Sequence, residues 1–262
     1  MPKILFGVSK GGSGKTSSAI CTAYILNRLG HKTLYIDGDP QCTGAYFFNA
    51  KPSGDNVFSI VDIAYEQARG KKFDVRNAIQ HCDNGDIIVN SGSGKSTTDF
   101  ASMSISMNES LAYRYFDGLD ELTEYEYIII DTGPEKSLLL RELIAVSDTI
   151  IFPVCASSSV EGAYLELPLI NSVRTSTNRI IKIGGFLMTS VFPREKSYKA
   201  FRKDVEDSAA ELHTKVFNTE IRRTAAFSRS FENRMIPIAR YPSDDASKDY
   251  VSFVRELLHE GE

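Results

Sequence analysis

The stretch Lys3-Ile4-Leu5-Phe6-Gly7-Val8-Ser9-Lys10-Gly11-Gly12-Ser13-Gly14-Lys15-Thr16-Ser17 decides the fold. Its apolar run over residues 4–9 reads as a buried strand. Residues 17–29 place Ile20, Ala23, Tyr24 and Leu29 at helical spacing and stop at Gly30, a favourable residue just past a helix end. Between them lies a glycine-rich loop, and strand, loop and helix in that order are the setting of a phosphate-binding loop. Glycines let the chain turn tightly and aim several backbone N–H groups at one anion. The helix N-terminus adds the positive end of its dipole. Gly11, Gly12, Ser13 and Gly14 are therefore expected around the phosphates, with Lys15 on the terminal ones and the Thr16 hydroxyl on Mg²⁺. The usual G-x-x-x-x-G-K-[ST] pattern fails at its first position, Ser9, and an extra lysine, Lys10, precedes the glycine pair. The plain alternative is a glycine turn with solvated lysines; three elements downstream argue against it.

The first is Ile36-Asp37-Gly38-Asp39-Pro40-Gln41, closing an expected strand over residues 33–36. Two carboxylates two residues apart at a strand's C-terminal edge lie where open parallel sheets bind ligands. One can reach a metal and the other can orient or deprotonate a water. An Asp-rich turn is the ordinary reading of such a stretch when it stands alone. The second is Tyr127-Ile128-Ile129-Ile130-Asp131-Thr132-Gly133-Pro134, an apolar strand ending in an aspartate, the Walker B pattern for approach to Mg²⁺. The third is Phe152-Pro153-Val154, ending the next strand, with Val160-Glu161-Gly162 after it.

Working outward, strands are expected over residues 86–89, 127–130, 149–154 and 180–188. Helices are expected over 138–146, 160–174, 196–212 and 246–258. Such alternation predicts an α/β, doubly wound, mostly parallel sheet covered by helices on both faces. No linker or repeat interrupts it, so residues 1–262 are expected to form one domain; residues 51–73 are the part hardest to assign. With 42% hydrophobic and 24% charged residues, the composition excludes a disordered or fibrous chain. No apolar run reaches the roughly 18 residues a membrane span needs. The N-terminus lacks the pattern of a signal peptide. Cys21, Cys42, Cys82 and Cys155 show no CxxC spacing, which excludes the common zinc patterns and fits a reducing cytoplasm.

These motifs carry a resemblance. Lys10-Gly11-Gly12-Ser13-Gly14-Lys15-Thr16 resembles the KGGxGKT signature of the ParA/MinD family of deviant-Walker P-loop ATPases. Asp37-Gly38-Asp39-Pro40-Gln41 resembles its DxDPQ, and Asp131-Thr132-Gly133-Pro134 its DTPP with Gly133 for the first proline. Phe217-Asn218-Thr219-Glu220-Ile221-Arg222 is similar to the segment near the adenine. The chain looks most like the ParA-type plasmid and chromosome partition proteins, from Lys3 to about Leu258. That resemblance implies Mg²⁺-dependent ATP hydrolysis, with Ser17, Glu220, Ile221 and Arg222 joining the nucleotide contacts. It implies that Lys10 crosses a dimer interface to the partner's phosphates, so that ATP closes a homodimer and hydrolysis opens it. A cation on an anion in a dry interface contributes roughly 1.5–3 kcal/mol. Asp39 is then expected on the attacking water, and Asp37, with Thr16 and Asp131, on Mg²⁺.

The chain carries a formal charge of −4, yet residues 174–240 hold 14 Lys/Arg against 7 Asp/Glu. By the same resemblance, this basic half binds DNA without sequence preference in the ATP dimer, through Arg194, Lys196, Lys199, Arg202, Lys203, Arg222 and Arg223. Further on lie Arg229, Arg234 and Arg240. The plain alternative is a solvated helix face paired with Glu195, Asp204 and Glu206. No operator-reading extension is expected, because the P-loop strand begins at Lys3. The implied partner is a ParB-like centromere-binding protein, and the implied location the cytoplasm, on the nucleoid when ATP is bound. A MinD-like membrane-cycling or other cargo-positioning ATPase is the main alternative. The acidic tip Glu260-Gly261-Glu262 speaks against membrane docking. An iron–sulfur reductase component or a P-loop synthetase is another, but Cys82 and Cys155 do not make a convincing cluster-binding pair. Ser91-Gly92-Ser93-Gly94-Lys95-Ser96-Thr97 imitates a phosphate loop, but it lacks the double glycine and no clear helix follows, so it reads as a polar loop.

Overall fold

The computed structural model describes residues 1–7, 10–51, 57–90, 117–134 and 137–259. The imitation loop at residues 91–97, and the wider stretch 91–110, lie outside the described residues, as do Val8 and Ser9 and the acidic tip at 260–262.

Seven strands form one sheet in the order β3-β4-β2-β5-β1-β6-β7. They are β1 (Lys3–Phe6), β2 (Thr33–Gly38), β3 (Gln80–Cys82), β4 (Gly85–Ile88), β5 (Tyr127–Thr132), β6 (Thr149–Val154) and β7 (Lys182–Met188). Every pairing is parallel except β3 with β4. That antiparallel edge hairpin was not expected. Its signal was present in Asp83-Asn84-Gly85, where Gly85 takes φ 129°, a value that strains any side chain. β1 is shorter than the expected run, and β7 begins two residues later.

Helices cover both faces. Labelled in chain order, they are α1 (Lys15–Arg28), α2 (Thr43–Phe48), α3 (Ile60–Ala68), α4 (Leu138–Val146), α5 (Ser157–Thr177), α6 (Tyr198–Glu211), α7 (Ala225–Glu232), α8 (Pro237–Arg240) and α9 (Asp245–His259). α1 starts two residues before the expected boundary, because Gly14 caps it in the left-handed region at φ 91°. α5 outruns its expected ends and passes through Pro168, which removes one helical hydrogen bond. Burial of Val160 and Ala163 on one side of that proline, and Ile170 and Val173 on the other, pins both halves.

The strands sort their side chains by alternation. Leu5, Leu34, Ile36, Ile128 and Ile130 face the core shared with α3, α4, α5 and α6. Ile4, Phe6, Tyr35 and Ile129 face the core shared with α1, α2 and α9. Buried side chains such as Phe6 and Leu5 each contribute about 1.5–3 kcal/mol. Because both faces are covered, β1, β2 and β5 are buried along their length, which is why they read as continuous apolar runs. Connections from β1 and β6 run to opposite sides of the sheet, so the loop after β1 opens at the crevice where parallel sheets take ligands.

Candidate nucleotide-binding site

A cavity of about 790 Å³ opens above that crevice. Gly11, Gly12, Ser13, Gly14, Lys15, Thr16 and Ser17 form its floor, with Asp39, Thr189, Ile221 and Arg222 among its walls. Gly12 and Gly14 take φ 74° and 91°, the left-handed values that let the loop wrap. A Cβ at Gly14 would also crowd Thr189, lying 3.1 Å from its Oγ1. Thr189 holds the loop from β7's end, its hydroxyl donating to the Ser13 carbonyl at 2.8 Å.

The two lysines of the loop behave differently. Lys15 is buried, and its ammonium donates to the Lys10 carbonyl at 2.9 Å. Burial lowers its pKa, while the charges of Asp131, Glu166 and Asp39 pull it back up. Lys10 is exposed, with no ion-pair partner among the described residues.

Opposite Lys15 stand three carboxylates. Asp37 and Asp131 are register partners across β2 and β5, both fully buried. Burial, then the charge of Asp131, holds Asp37 well above the usual carboxylate range, although it accepts hydrogen bonds from the N–H groups of Ala45 at 3.1 Å and Asp39 at 3.2 Å. Burial pushes Asp131 up to about 7, even though the Thr16 hydroxyl hydrogen-bonds to it and the Tyr35 phenol donates to it at 3.1 Å. Asp39 is partly exposed and accepts from the Gln41 N–H at 2.9 Å. Two buried carboxylates, both raised by burial, stand beside a hydroxyl and an ammonium, a setting that suits a divalent cation carried in with phosphates. Among the described residues no three acidic, His or Cys side chains form a ready-made metal cage. Mg²⁺ is commonly held by one or two carboxylates plus phosphate oxygens.

The structure separates the remaining sequence candidates. Ile221 and Arg222 line the cavity. Glu220 does not: its carboxylate accepts from the Tyr198 phenol at 2.9 Å and from Arg202 at 2.6 Å. Of the expected DNA contacts, three are held by local acids. Arg202 pairs with Glu206 and Glu220, Lys203 sits 3.9 Å from Asp207, and Arg222 pairs with Asp245 and Asp249. Arg222 holds Asp249 through two parallel hydrogen bonds, a pair that a phosphate would have to displace. Arg194, Lys196, Lys199 and Arg223 are exposed, with no ion pair among the described residues. Of these four only Arg223 lines the cavity, with Glu195 beside it.

Four site residues carried no signal in the sequence: Tyr35 on Asp131, Thr189 on Ser13, Asn90 donating to the Gly38 carbonyl at 3.1 Å, and Tyr250, 3.1 Å from the Ser18 hydroxyl. Each reads locally as an ordinary strand or helix residue, and only the strand order brings it to the loop.

A parallel sheet with a glycine loop at its crevice and an aspartate ending the adjacent strand defines a P-loop nucleotide hydrolase. Residues 1–183 match the family model described as AAA domain, and the chain belongs to that family as a P-loop ATPase of the ParA/MinD type. The chromosome-partitioning ATPase Soj of Treponema pallidum is 26% identical over 258 residues, spanning 97% of this chain and 96% of that one. Apo McdA from Cyanothece shares the fold at a TM-score of 0.80 and 17% identity, over 98% and 99% of the two chains. So does cobyrinic acid a,c-diamide synthase from Mycobacterium smegmatis, solved with ADP and magnesium, at 0.76 and 20%, over 98% and 94%.

Proposed function

We propose that this chain is a partition ATPase of one domain, in which ATP with Mg²⁺ closes a homodimer that binds DNA without sequence preference. The observation that carries the reading is the contrast between Lys15, buried and turned inward, and Lys10, exposed on the same loop without a counter-charge among the described residues. A cation so placed has no work to do within its own subunit. Facing a second copy, it would meet that copy's phosphates, and without nucleotide two such lysines would repel.

Lys15 exchanges its backbone carbonyl for phosphate oxygens, and the N–H groups of residues 11–17 bind the rest. Thr16, Asp131 and Asp37 would hold Mg²⁺, which would supply positive charge against the phosphates. Asp39, partly exposed at the cavity wall, orients the attacking water and accepts its proton. The unpaired Arg194, Lys196, Lys199 and Arg223 supply phosphate contacts to DNA. A ParB-like partner would stimulate hydrolysis, which opens the dimer and frees the DNA in the cytoplasm.

The test is a mobility shift on arbitrary duplex DNA with ATP, ADP or no nucleotide, for the native chain, Lys10→Ala and Lys15→Ala. Binding with ATP only, lost in both variants, and weakening with a log–log salt slope of about −0.9 per phosphate contact, supports the reading. No DNA binding in any state, with ATP-dependent dimers intact by sedimentation, would move the cargo to a protein complex or a membrane.

A further inference from the structure

On the far side of α2 lies a second cavity of about 680 Å³ that the nucleotide reading does not use. Its walls come from the end of α2, the β3–β4 turn and the segment joining α7 to α8. Tyr46, Asn49, Asn84, Arg234, Met235 and Arg240 carry its chemistry. Among the described residues no acidic side chain lines it. Neither arginine has an ion-pair partner among the described residues; the nearest acids in sequence, Glu232 and Asp244, pair with neither. The Arg234 guanidinium instead lies 4.0 Å over the Tyr46 ring, and Arg240 lies 5.4 Å over that of Tyr241.

The backbone shows that Arg234 is placed at a cost. It closes α7 in the left-handed region at φ 55°, with the Met235 N–H reaching back to the Ser230 carbonyl at 2.9 Å. That cap position favours glycine, because a Cβ there crowds the following carbonyl oxygen. Asn49 closes α2 in the same way at φ 56°. The strain at Arg234 holds a cation against an aromatic face at the rim of a concave site.

We propose that this cavity docks an acidic peptide segment of a partner protein, seating a carboxylate between Arg234 and Arg240. Arginine presents a planar fork that matches a carboxylate with two parallel hydrogen bonds. The asparagine amides can pair with an extended peptide's N–H and C=O groups. Met235 and Tyr46, 43% and 48% exposed, give the apolar wall an adjoining side chain needs. A duplex fits worse, because its phosphates track a surface rather than enter a pocket.

The experiment pans a random dodecapeptide library on the whole chain, then measures the selected peptides by fluorescence anisotropy on the native protein and on Arg234→Gly/Arg240→Gln. Glycine suits the left-handed cap, so that variant keeps its fold, and unchanged ATP binding checks it. The expected result is a pool rich in Asp and Glu beside an aromatic or aliphatic residue, with affinity at least tenfold weaker in the variant and falling as salt rises. A pool without acidic enrichment, or peptides indifferent to the two substitutions, overturns the proposal. So does loss of affinity for a 24-base-pair duplex without loss of peptide binding, which would assign the arginines to DNA. Failure here leaves the partition reading standing, since that reading is tested at Lys10 and Lys15.

Discussion

The Lys15 ammonium donates a 2.9 Å hydrogen bond to the carbonyl oxygen of Lys10, so one cation of the loop is held by the residue that carries the other. The Ser13 hydroxyl reaches the same oxygen at 3.3 Å. A phosphate that takes Lys15 away leaves that carbonyl to Ser13 alone. Nucleotide entry and the attitude of residue 10 are thereby linked through one backbone group.

Lys15→Ala removes a charge-assisted contact to phosphate and is expected to weaken ATP binding by at least tenfold, given roughly 1.5–3 kcal/mol per such bond. Lys10→Ala leaves that contact and the backbone carbonyl in place, so ATP affinity of the monomer should change little while ATP-dependent dimers vanish. Isothermal titration of ATP into each variant, paired with equilibrium sedimentation, separates the two roles.

Gly44 is the second sensitive point. A Cβ there would lie 2.6 Å from the Tyr35 hydroxyl and 2.9 Å from an Asp37 carboxylate oxygen. Gly44→Ala must therefore push α2 away from Asp37, or Tyr35 away from Asp131. Overpacking of this kind costs about 1–3 kcal/mol. The expected outcome is a lower melting temperature together with a weakened Mg²⁺ dependence of ATP binding. Melting with and without MgATP reads both, and an unshifted melt would show that α2 yields freely.

Thr189→Val keeps the shape and removes the hydroxyl that donates to the Ser13 carbonyl. The loop loses a tether worth roughly 1 kcal/mol. ATP affinity should fall a few-fold with the fold intact, checked by ATP titration beside a thermal melt. A loss beyond a hundredfold would mean that Thr189 touches the nucleotide.

The fold was legible because its deciding signals are local. Each strand around the site is an apolar run ended by a polar residue with one chemical use, as Ile130-Asp131 and Ile36-Asp37 show. The glycine loop announces itself by composition. What stayed hidden depends on strand order. Tyr35 looks like any strand tyrosine until β2 and β5 become neighbours and bring Asp131 to its hydroxyl. Arg222 reads as a free cation because its partner, Asp249, lies 27 residues away, and for Arg202 only Glu206, four residues on, is visible locally while Glu220 lies 18 residues away. The edge hairpin was missed because its strands are short, three and four residues.

Glu142 makes the fold itself sensitive to pH. It lies on α4 with its side chain fully buried, and among the described residues neither carboxylate oxygen has a hydrogen-bond partner. Burial pushes its pKa up to about 9 from an ordinary value of 4.5, against a smaller opposing pull from Arg141. The folded chain thus holds a proton that the unfolded chain releases above pH 4.5. The contribution to stability is complete below that pH and is lost as pH rises toward 9, by at most about 1.4 kcal/mol per pH unit. Asp37 and Asp131, also raised, add slopes of the same sign. Glu142→Gln keeps the shape and carries no proton to lose. Urea denaturation at pH 5.5, 7 and 8.5 should show the variant gaining on the native chain at each step. A stability difference that does not change across that range would mean that Glu142 ionises in the folded protein as readily as in the unfolded one.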